Sequence, residues 1–316
     1  MITETIQRPT AQVIGEMDGG SWRTWRIPSD EIPAILEIPN NTIIALDVHG
    51  TLISRTQADD LRVVQAFRRM ISGPAKEAGA KLVMASAAPT RELQRVASLL
   101  DLGDQPAVAE LGHVIMRAVL GTPPRLACDV TPEMQLALLD LKRWLVNEGL
   151  PPGIFLEPKT ILVSLNWSEA PQERDGLVES IQGYIDKRGL PFYVSVSDAT
   201  LDVGIDGVNK ASGLSRVIAS LRRSDEGMHI LAVGDSRNDM DLLQVSFPGL
   251  CGCPANSHPL VKAFVSAQGG VVSEYPTLAG TLDALSQLIQ RISPQDGCRA
   301  DHKVRRSSVL SVGAWN

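Results

Sequence analysis

Four short segments of this sequence carry the residue types that phosphoryl transfer requires. In chain order they supply the carboxylate Asp47, the hydroxyl of Ser86, the amine of Lys210 and the acidic pair Asp235 and Asp239. Catalysis of phosphoryl transfer consists mainly of positioning and of neutralising charge. A nucleophile, a hydroxyl, a cation and a metal site are therefore a sufficient set, provided that the fold brings them together.

Asp47 lies at the end of the apolar run TIIALDV (42–48), within the segment LDVHGT. Such a run is typical of a strand buried on both faces of a parallel sheet. Ligands of open parallel sheets bind beyond the carboxyl ends of the strands, so Asp47 is placed where chemistry is expected. Gly50 would let the backbone turn sharply and approach a ligand closely. A simple helix-capping acid is the competing interpretation.

The other three segments are ASAAP, GVNKASGL and VGDSRNDM. Ser86 precedes a helix that Pro89 opens, where a hydroxyl can donate to an anion, although an N-capping serine looks the same. A cation is disfavoured at a helix start, so Lys210 is predicted to have another use, although a solvated surface lysine also fits. Asp235 and Asp239 predict a site for a hard cation if a third carboxylate approaches.

The pattern of apolar residues predicts the elements that position these side chains. Strands are predicted at 42–48, 81–86, 107–110, 229–234 and 248–252, with helices at 59–77, from 89, from 210, and at 238–245, 257–267 and 277–292. This alternation predicts an α/β fold with a doubly wound, mostly parallel sheet. Between its halves, helices at 131–148 and 171–188 each precede a strand pair, at 153–157 with 160–167 and at 191–197 with 200–206. That region predicts an inserted α+β cap.

We therefore divide the chain into four parts. They are an irregular N-terminal extension over 1–37, a core domain over 38–112 and 206–293, a cap domain over 113–205, and a mobile C-terminal tail over 294–316.

Composition argues against several classes of protein. The net charge of −6 and 4% aromatic residues disfavour nucleic-acid binding. No apolar run approaches the roughly 18–20 residues that span a bilayer, and the N-terminus lacks a basic segment followed by an apolar one. We expect a cytoplasmic protein without membrane partners, and the sequence sets no expectation of oligomeric state. The four cysteines are predicted to be free thiols, and His113, His229 and His258 to be structural.

The four segments, in this order, resemble the motifs of the haloacid dehalogenase-like phosphatases. The position and the two-unit plan of the cap are similar to the subfamily that holds the Cof-type hydrolases and sugar-phosphate phosphatases. The segment EPKTILVSLNW (157–167) is loosely similar to a cap segment of trehalose-phosphate phosphatases. AELG (109–112) and CPANSHPLVK (253–262) also resemble stretches common in these hydrolases, and the resemblance covers about 40–292.

The resemblance implies hydrolysis of a small phosphorylated metabolite, by preference a sugar phosphate, with Mg²⁺ as cofactor. It implies that Asp47 attacks phosphorus and forms an aspartyl phosphate. Mg²⁺ would be bound by Asp47, Asp235 and the backbone carbonyl of His49, while Ser86 and Lys210 would hold the transferring oxygens.

Five further residues complete the predicted site. Asp239 would anchor Lys210 or a metal-bound water, as a member of the metal site, and Asn238 would support the same loop and contact substrate. Glu157, Lys159 and Asn166 are the cap residues predicted to bind substrate, because they lie on or beside the turn of a strand pair that could face the core. Ordinary exposed polar residues of a strand are the alternative for these three.

One residue departs from the family pattern. These phosphatases normally carry a second aspartate two residues after the nucleophile, and here that position is His49. An imidazole can move protons near neutral pH, so His49 is the candidate general acid and base. The departure also leaves open a slowed enzyme, another phosphoryl or C–P bond reaction using Asp47, or a low-turnover regulator that binds phosphorylated ligands. The identity of the substrate is not determined by the sequence.

Overall fold

The computed structural model describes residues 16–18, 21–23, 38–54, 60–119, 121–127, 129–167, 173–197, 199–221, 228–246 and 248–293. Within the predicted extension over 1–37, it shows a short antiparallel pair formed by β1 (Glu16–Asp18) and β2 (Ser21–Arg23). The rest of that extension and the predicted tail over 294–316 lie outside the described residues.

The remaining strands follow in three groups along the chain. The first group is β3 (Thr42–Leu46), β4 (Lys81–Ala85), β5 (Pro106–Ala109), β6 (Val114–Arg117) and β7 (Arg125–Leu126). The second is β8 (Phe155–Leu156), β9 (Val163–Asn166), β10 (Phe192–Val196) and β11 (Thr200–Ile205). The third is β12 (His229–Val233), β13 (Cys251–Cys253) and β14 (Val271–Val272).

Eight α-helices connect the strands in the described part of the chain. They are α1 (Leu61–Met70), α2 (Thr90–Leu100), α3 (Pro132–Glu148), α4 (Arg174–Arg188), α5 (Lys210–Leu221), α6 (Met240–Val245), α7 (Pro259–Ala267) and α8 (Thr277–Ile292). α1 continues as a π-helical turn over Ile71–Ala75, which contains Pro74. Proline lacks the N–H that an α-helix would use there, and the local change of helix type accommodates it.

The first and third groups of strands form one eight-stranded sheet in the order β14-β13-β12-β3-β4-β5-β6-β7. The strands from β14 to β5 are parallel, and β6 and β7 add an antiparallel edge. The predicted doubly wound, mostly parallel α/β sheet is confirmed.

Side-chain alternation along β3 explains why helices cover both faces of this sheet. All five residues of β3 are buried. Ile44 and Leu46 pack in a cluster with α1, α2 and α8, whereas Ile43 and Ala45 pack with α5, α6 and α7. Successive side chains of a strand point to opposite faces, so an uninterrupted apolar run requires a covering layer on each side.

The second group of strands forms a separate antiparallel sheet in the order β10-β11-β9-β8. Helices α3 and α4 cover one face, where Leu141 and Ile181 pack with Val163, Leu165 and Val203 of the strands. The opposite face carries the polar residues of the same strands. The inserted α+β module predicted from the two helix–strand–strand units is present.

The structure adds five short strands that the apolar pattern did not predict, namely β1, β2, β6, β7 and β14. β6 and β7 lie within 113–205 in the sequence but pair onto the larger sheet through β5. We therefore place the passage from core to cap after β7 rather than at 113. Strands of two to four residues carry too few side chains for a periodic signal.

Two further observations bear on the composition-based expectations. Among the described residues, no helix is long and apolar enough to cross a membrane. Cys251 and Cys253 are buried free thiols, and Cys128 and Cys298 lie outside the described residues.

Candidate active site

Three carboxylates meet at the carboxyl edge of the larger sheet. Asp47 follows β3 and Asp235 follows β12, and these strands are parallel neighbours with Leu46 opposite Val233. Asp47, Asp235 and Asp239 each bring one carboxylate oxygen within 4.8 Å of the others. Asp47 and Asp235 are almost two hundred residues apart in the sequence, and the pairing of these two strands brings them together. The structure thus assembles the acids that the sequence analysis singled out.

Lys210 supplies the positive charge at the centre of this cluster. Its Nζ donates to Oδ1 of Asp47 at 2.6 Å and to Oδ1 of Asp239 at 2.5 Å. The lysine stands at the first residue of α5 and is buried, with 2% of its surface exposed. Burial acts to lower its pKa, but the carboxylates of Asp239 and Asp47 outweigh burial and raise it. Lys210 is therefore a permanent cation, and a solvated surface lysine is excluded.

Asp239 has all of its acceptor oxygens engaged by the protein. Oδ1 accepts from Lys210, while Oδ2 accepts from the backbone N–H groups of Asp235 and Ser236 at 3.0 and 2.8 Å and from the Ser236 hydroxyl at 2.9 Å. Its residue is fully buried. These contacts favour a role as the anchor that orients Lys210 and shapes the loop carrying Asp235.

The remaining two acids carry charge that the protein does not fully compensate. Burial, followed by the charge of Asp47 and then of Asp239, raises the pKa of Asp235 to about 8. Burial and Asp239 likewise raise the pKa of Asp47, although Lys210 acts against them. One ammonium among three close carboxylates leaves an excess of negative charge. Carboxylate oxygens are the ligands that Mg²⁺ prefers, so this donor set fits a divalent hard cation.

The backbone at Gly50 makes room for this arrangement. Gly50 has a φ of 81°, and a Cβ built on it would lie 2.1 Å from Oδ2 of Asp235. Thr51 beside it donates its hydroxyl to Oδ1 of Asp235 at 3.3 Å. The glycine is required both by the left-handed conformation and by the close approach of the carboxylate.

The raised pKa of Asp235 makes a prediction about the metal-free protein. The folded state retains a proton that the unfolded chain releases near 3.8, so the free energy of unfolding should fall as the pH rises towards about 8. The slope contributed by one proton is at most about 1.4 kcal/mol per pH unit. Mg²⁺ should therefore stabilise the protein more at pH 8 than at pH 5, measured by denaturant unfolding with and without the ion.

Asp235→Asn should remove both the slope and most of the stabilisation by Mg²⁺, and should raise the Mg²⁺ concentration needed for half-maximal activity at least about tenfold. Asp140→Asn, a change at an exposed residue of α3, is the matched control and should alter neither. Equal stabilisation by Mg²⁺ in the Asp235→Asn variant would remove this residue from the metal site.

His49 lies at the wall of the same cleft, two residues after Asp47. Its Nε2 donates to Oε1 of Glu92 at 2.6 Å, and the two side chains are 18% and 36% exposed. Glu92 stands in the first turn of α2. The glutamate fixes the orientation of the imidazole and leaves Nδ1 for other partners.

Ser86 completes the core side of the site. It follows β4, is buried, and its Oγ accepts from the backbone N–H of Ala88 at 3.2 Å. This contact uses an acceptor position, so the hydroxyl proton is available for a phosphate oxygen. The N-cap of α2 is Pro89, and no side chain caps that helix, so the N-capping interpretation of Ser86 is wrong. Anion binding by Ser86 stays a prediction.

The cap faces the core across a cleft of about 900 Å³. Predicted site residues from both domains line this cleft, namely Asp47, His49, Ser86, Glu157, Lys159, Asn166, Lys210, Asp235 and Asn238. Strand alternation explains the cap side: Val163 and Leu165 of β9 point to the helices, so Asn166 points to the cleft. The same alternation in β11 turns Thr200 and Asp202 to the cleft.

Lys159 forms an ion-paired group on the cap wall. Its Nζ lies 2.9 Å from Oε2 of Glu157 and 3.4 Å from Oδ1 of Asp202, and its side chain is 3% exposed. Lys159 is therefore already neutralised by the protein. Its ammonium group is not free to bind a second anionic group of a substrate.

The sequence analysis missed four residues that the structure places at the site: Thr51, Glu92, Asp202 and Asn256. Asn256 donates to the carbonyl of Gly50 at 2.8 Å and accepts from the backbone N–H of Thr277 at 2.7 Å. It belongs to the segment CPANSHPLVK, which the resemblance had marked without a role. Glu92 and Asp202 had no local signal, because a polar residue in a helix or strand is ordinary without its neighbours.

Comparison with known proteins agrees with this geometry. A model of the haloacid dehalogenase-like hydrolases matches residues 157–274, which include β9 to β11 of the cap, Lys210 and the Asp235 loop. Over these residues the chain is similar to the haloacid dehalogenase-like hydrolases. No protein of curated function matches the sequence.

Solved structures of this family share the fold at low sequence identity. The sucrose-phosphatase from Synechocystis, solved with sucrose and phosphate, is 14% identical with a TM-score of 0.57, covering 79% of this chain and 98% of that one. A haloacid dehalogenase-like hydrolase from Bacteroides thetaiotaomicron is 17% identical with a TM-score of 0.56, covering 80% and 100%. The C-terminal domain of C. albicans trehalose-6-phosphate phosphatase is 14% identical with a TM-score of 0.51, covering 80% and 94%.

Proposed function

We propose that this protein is a Mg²⁺-dependent phosphatase that hydrolyses a sugar phosphate through an aspartyl phosphate on Asp47. The observation that carries the proposal is the buried cluster in which Lys210 bridges Asp47 and Asp239 beside Asp235. A nucleophilic carboxylate, a fixed cation and a site for a divalent ion stand together at one end of a cleft. These are the groups that phosphoryl transfer to a carboxylate needs.

In the first half-reaction, a carboxylate oxygen of Asp47 forms a bond to phosphorus while the bond from phosphorus to the leaving oxygen breaks. Lys210 and the Ser86 hydroxyl hold the transferring oxygens, and His49 gives its proton to the leaving oxygen. Asp47, Asp235 and the backbone carbonyl of His49 would hold Mg²⁺, which would supply positive charge against the repulsion between carboxylate and phosphate.

In the second half-reaction, water attacks the phosphorus of the aspartyl phosphate. His49, now neutral, takes a proton from this water, and the bond between phosphorus and the Asp47 oxygen breaks. Inorganic phosphate and the free carboxylate result, so the residues return to their starting state. Asp239 keeps Lys210 in place through both steps, and Asn238 lines the cleft beside it.

The charges of the cleft support a neutral leaving group. Among the described lining residues, Lys159 and Lys210 are the only lysines or arginines, and both are already paired with carboxylates. A second phosphate or a carboxylate on the substrate would meet no free cation there. The cap wall instead offers Glu157, Asn166 and Thr200, whose acceptors and donors suit hydroxyl groups. The names of the sucrose-phosphatase and trehalose-phosphatase neighbours point to the same class.

A panel of substrates tests the proposal directly. Phosphate release with Mg²⁺ should be higher for glucose 6-phosphate, mannose 6-phosphate, sucrose 6-phosphate and trehalose 6-phosphate than for fructose 1,6-bisphosphate and 3-phosphoglycerate. We expect at least a roughly tenfold preference in kcat/KM, because an unpaired anion on the leaving group is costly to place in the cleft. Preference for the bisphosphate or for the substrate with a carboxylate would contradict the neutral leaving group.

The cap residues should set this preference. Replacing three of them together, by Glu157→Gln, Lys159→Met and Asn166→Ala, should lower kcat/KM for the preferred sugar phosphate roughly 10- to 100-fold. Hydrolysis of p-nitrophenyl phosphate, whose leaving group lacks the hydroxyl groups of a sugar, should change far less. The matched control makes the same types of change at exposed cap positions, namely Glu179→Gln, Lys187→Met and Asn147→Ala. An unchanged substrate preference in the first triple variant would remove these residues from the site.

Product analysis decides between phosphatase chemistry and the other uses of the same site. Stoichiometric phosphate and alcohol indicate hydrolysis, and cleavage of a C–P bond indicates the second reaction class. Tight binding of phosphate analogues without turnover would indicate a binding protein. The cytoplasmic location and the absence of nucleic-acid and membrane partners remain predictions from composition.

A further inference from the structure

A buried carboxylate of the core, Glu110, holds a loop of the cap by its backbone. The side chain of Glu110 is fully buried. Its Oε1 accepts from the N–H of Thr160 at 2.7 Å, and its Oε2 accepts from the N–H groups of Ile161 and Leu162 at 2.8 and 3.1 Å. The residues are 50 to 52 positions apart in the sequence, so the contact joins the two domains. We name this contact the Glu110 clamp.

The backbone that presents Glu110 is strained. Glu110 and Leu111 have φ values of 51° and 54°, and Gly112 follows with 96°. The left-handed conformation costs a residue with a side chain roughly 1–2 kcal/mol. A Cβ at Gly112 would lie 2.0 Å from the carbonyl oxygen of Asn209, so the turn is also tightly enclosed. Backbone strain of this kind persists where the surrounding structure requires the geometry, and the contacts of this turn show which residues it positions.

On the core side, the same turn is attached to the loop that carries the Ser86 hydroxyl. The N–H of Glu110 donates to the carbonyl of Ala88 at 3.2 Å, and the N–H of Leu111 donates to the carbonyl of Ser86 at 3.1 Å. A displacement of Glu110 would therefore also move the backbone of Ser86, whose hydroxyl faces the transferring phosphate in the proposed mechanism.

His113 connects this turn to Ile205, at the point where the chain returns from the cap to the core. His113 donates from Nδ1 to the carbonyl of Glu110 at 2.6 Å and accepts at Nε2 from the N–H of Ile205 at 2.9 Å. Burial lowers the pKa of His113, which keeps the ring neutral and able to fill both roles. This confirms that His113 is structural, at the base of the cap.

On the cap side, the clamped residues directly follow Lys159 of the cleft. Lys142 of α3 donates to the carbonyl of Lys159 at 3.0 Å, so the backbone of the loop is held from both directions. The side chain of Lys159 then pairs with Glu157 and Asp202 at the cap wall. The clamp thus acts on the backbone next to the cap residues that line the cleft.

We propose that Glu110 is a positioning residue for substrate selection, which keeps the loop 157–162 of the cap at a set distance from Ser86. The leaving group then meets Glu157 and Lys159 while its phosphate lies at Asp47. A carboxylate is suited to this task because it offers acceptors alone to three N–H donors, whereas an amide would direct its own donors at them. The role in selection rests on the proposed function, but the clamp itself does not.

Steady-state kinetics of Glu110→Gln test the role in selection. With the four sugar monophosphates of the panel, KM should rise roughly 10- to 100-fold, the loss expected when hydrogen bonds to a charged group are removed. The kcat for these substrates should change much less, and kcat/KM for p-nitrophenyl phosphate should fall less than about threefold, because its leaving group has no sugar hydroxyl groups for the cap residues to bind. Glu179→Gln, an exposed glutamate of α4, is the control and should change none of these values. An equal loss for both kinds of substrate would show a general structural role and overturn the proposal.

Hydrogen exchange tests the clamp without reference to activity. The amides of residues 160–162 should exchange at least about tenfold faster in Glu110→Gln than in the wild type, while those of β3 should not. Glu110→Asp, which keeps the charge but shortens the reach, should give intermediate exchange and KM, and it serves if the glutamine variant does not fold. Unchanged exchange at 160–162 in either folded variant would overturn the clamp. If the wild type hydrolysed none of the substrates, the proposed function would fail while the exchange result still decided the clamp.

Discussion

Asp47→Asn should abolish turnover, with a fall in kcat on the order of 10⁴-fold or more. An amide does not attack phosphorus, Asp239 is saturated by its hydrogen bonds, and Asp235 is assigned to the proposed metal site. The change should leave the fold intact, since Lys210 keeps its contact with Asp239. Burial and Asp239 raise the pKa of Asp47, so removing its charge relieves repulsion as well as removing an ion pair.

The measurement is phosphate release under saturating substrate and Mg²⁺, together with thermal unfolding of each variant. Asp104→Asn is the matched control, because Asp104 is exposed and pairs with Arg117 at the far edge of the sheet. Trapping of a phosphorylated protein from the wild type but not from Asp47→Asn would identify the covalent intermediate. Substantial turnover by a well-folded Asp47→Asn variant would refute the assignment of the nucleophile.

His49→Ala should lower kcat roughly 10²–10⁴-fold, the usual contribution of a general acid and base. The ring lines the cleft two residues from Asp47, and Glu92 holds its Nε2 at 2.6 Å. His49→Asp should keep or increase phosphatase activity, because it restores the residue that the family normally carries there.

Two comparisons separate proton transfer from a structural effect. His229→Ala is the matched control, since His229 begins β12 at the end of the strand remote from Asp235. Glu92→Gln keeps a hydrogen-bond acceptor for the ring but removes the carboxylate charge, so it should lower kcat less than His49→Ala does. If His49→Ala left the rate unchanged, the backbone of residue 49 alone would matter, and the proton would come from water or substrate.

The order of the elements and the main catalytic residues followed from local patterns. The buried run TIIAL predicted a strand covered on both faces, and β3 is buried throughout. The helix and strand periodicities of the core and the cap were confirmed to within a few residues, because each segment carries enough side chains for a period of 3.6 or 2 to show. Asp47 and Asp235 were predicted to meet because parallel strands end at the same edge of a sheet.

Only the tertiary structure decided which partners the charged groups have. Lys159 was predicted to bind substrate, and its pairing with Asp202 depends on a residue 43 positions away on β11. The contact of Glu92 with His49 spans 43 positions, and that of Glu110 with residues 160–162 spans 50 to 52. A local pattern reports which face of an element is apolar, but a hydrogen bond between elements depends on how they pack. For that reason the sequence indicated the chemistry of the core, and the structure determined how the cap is held over it.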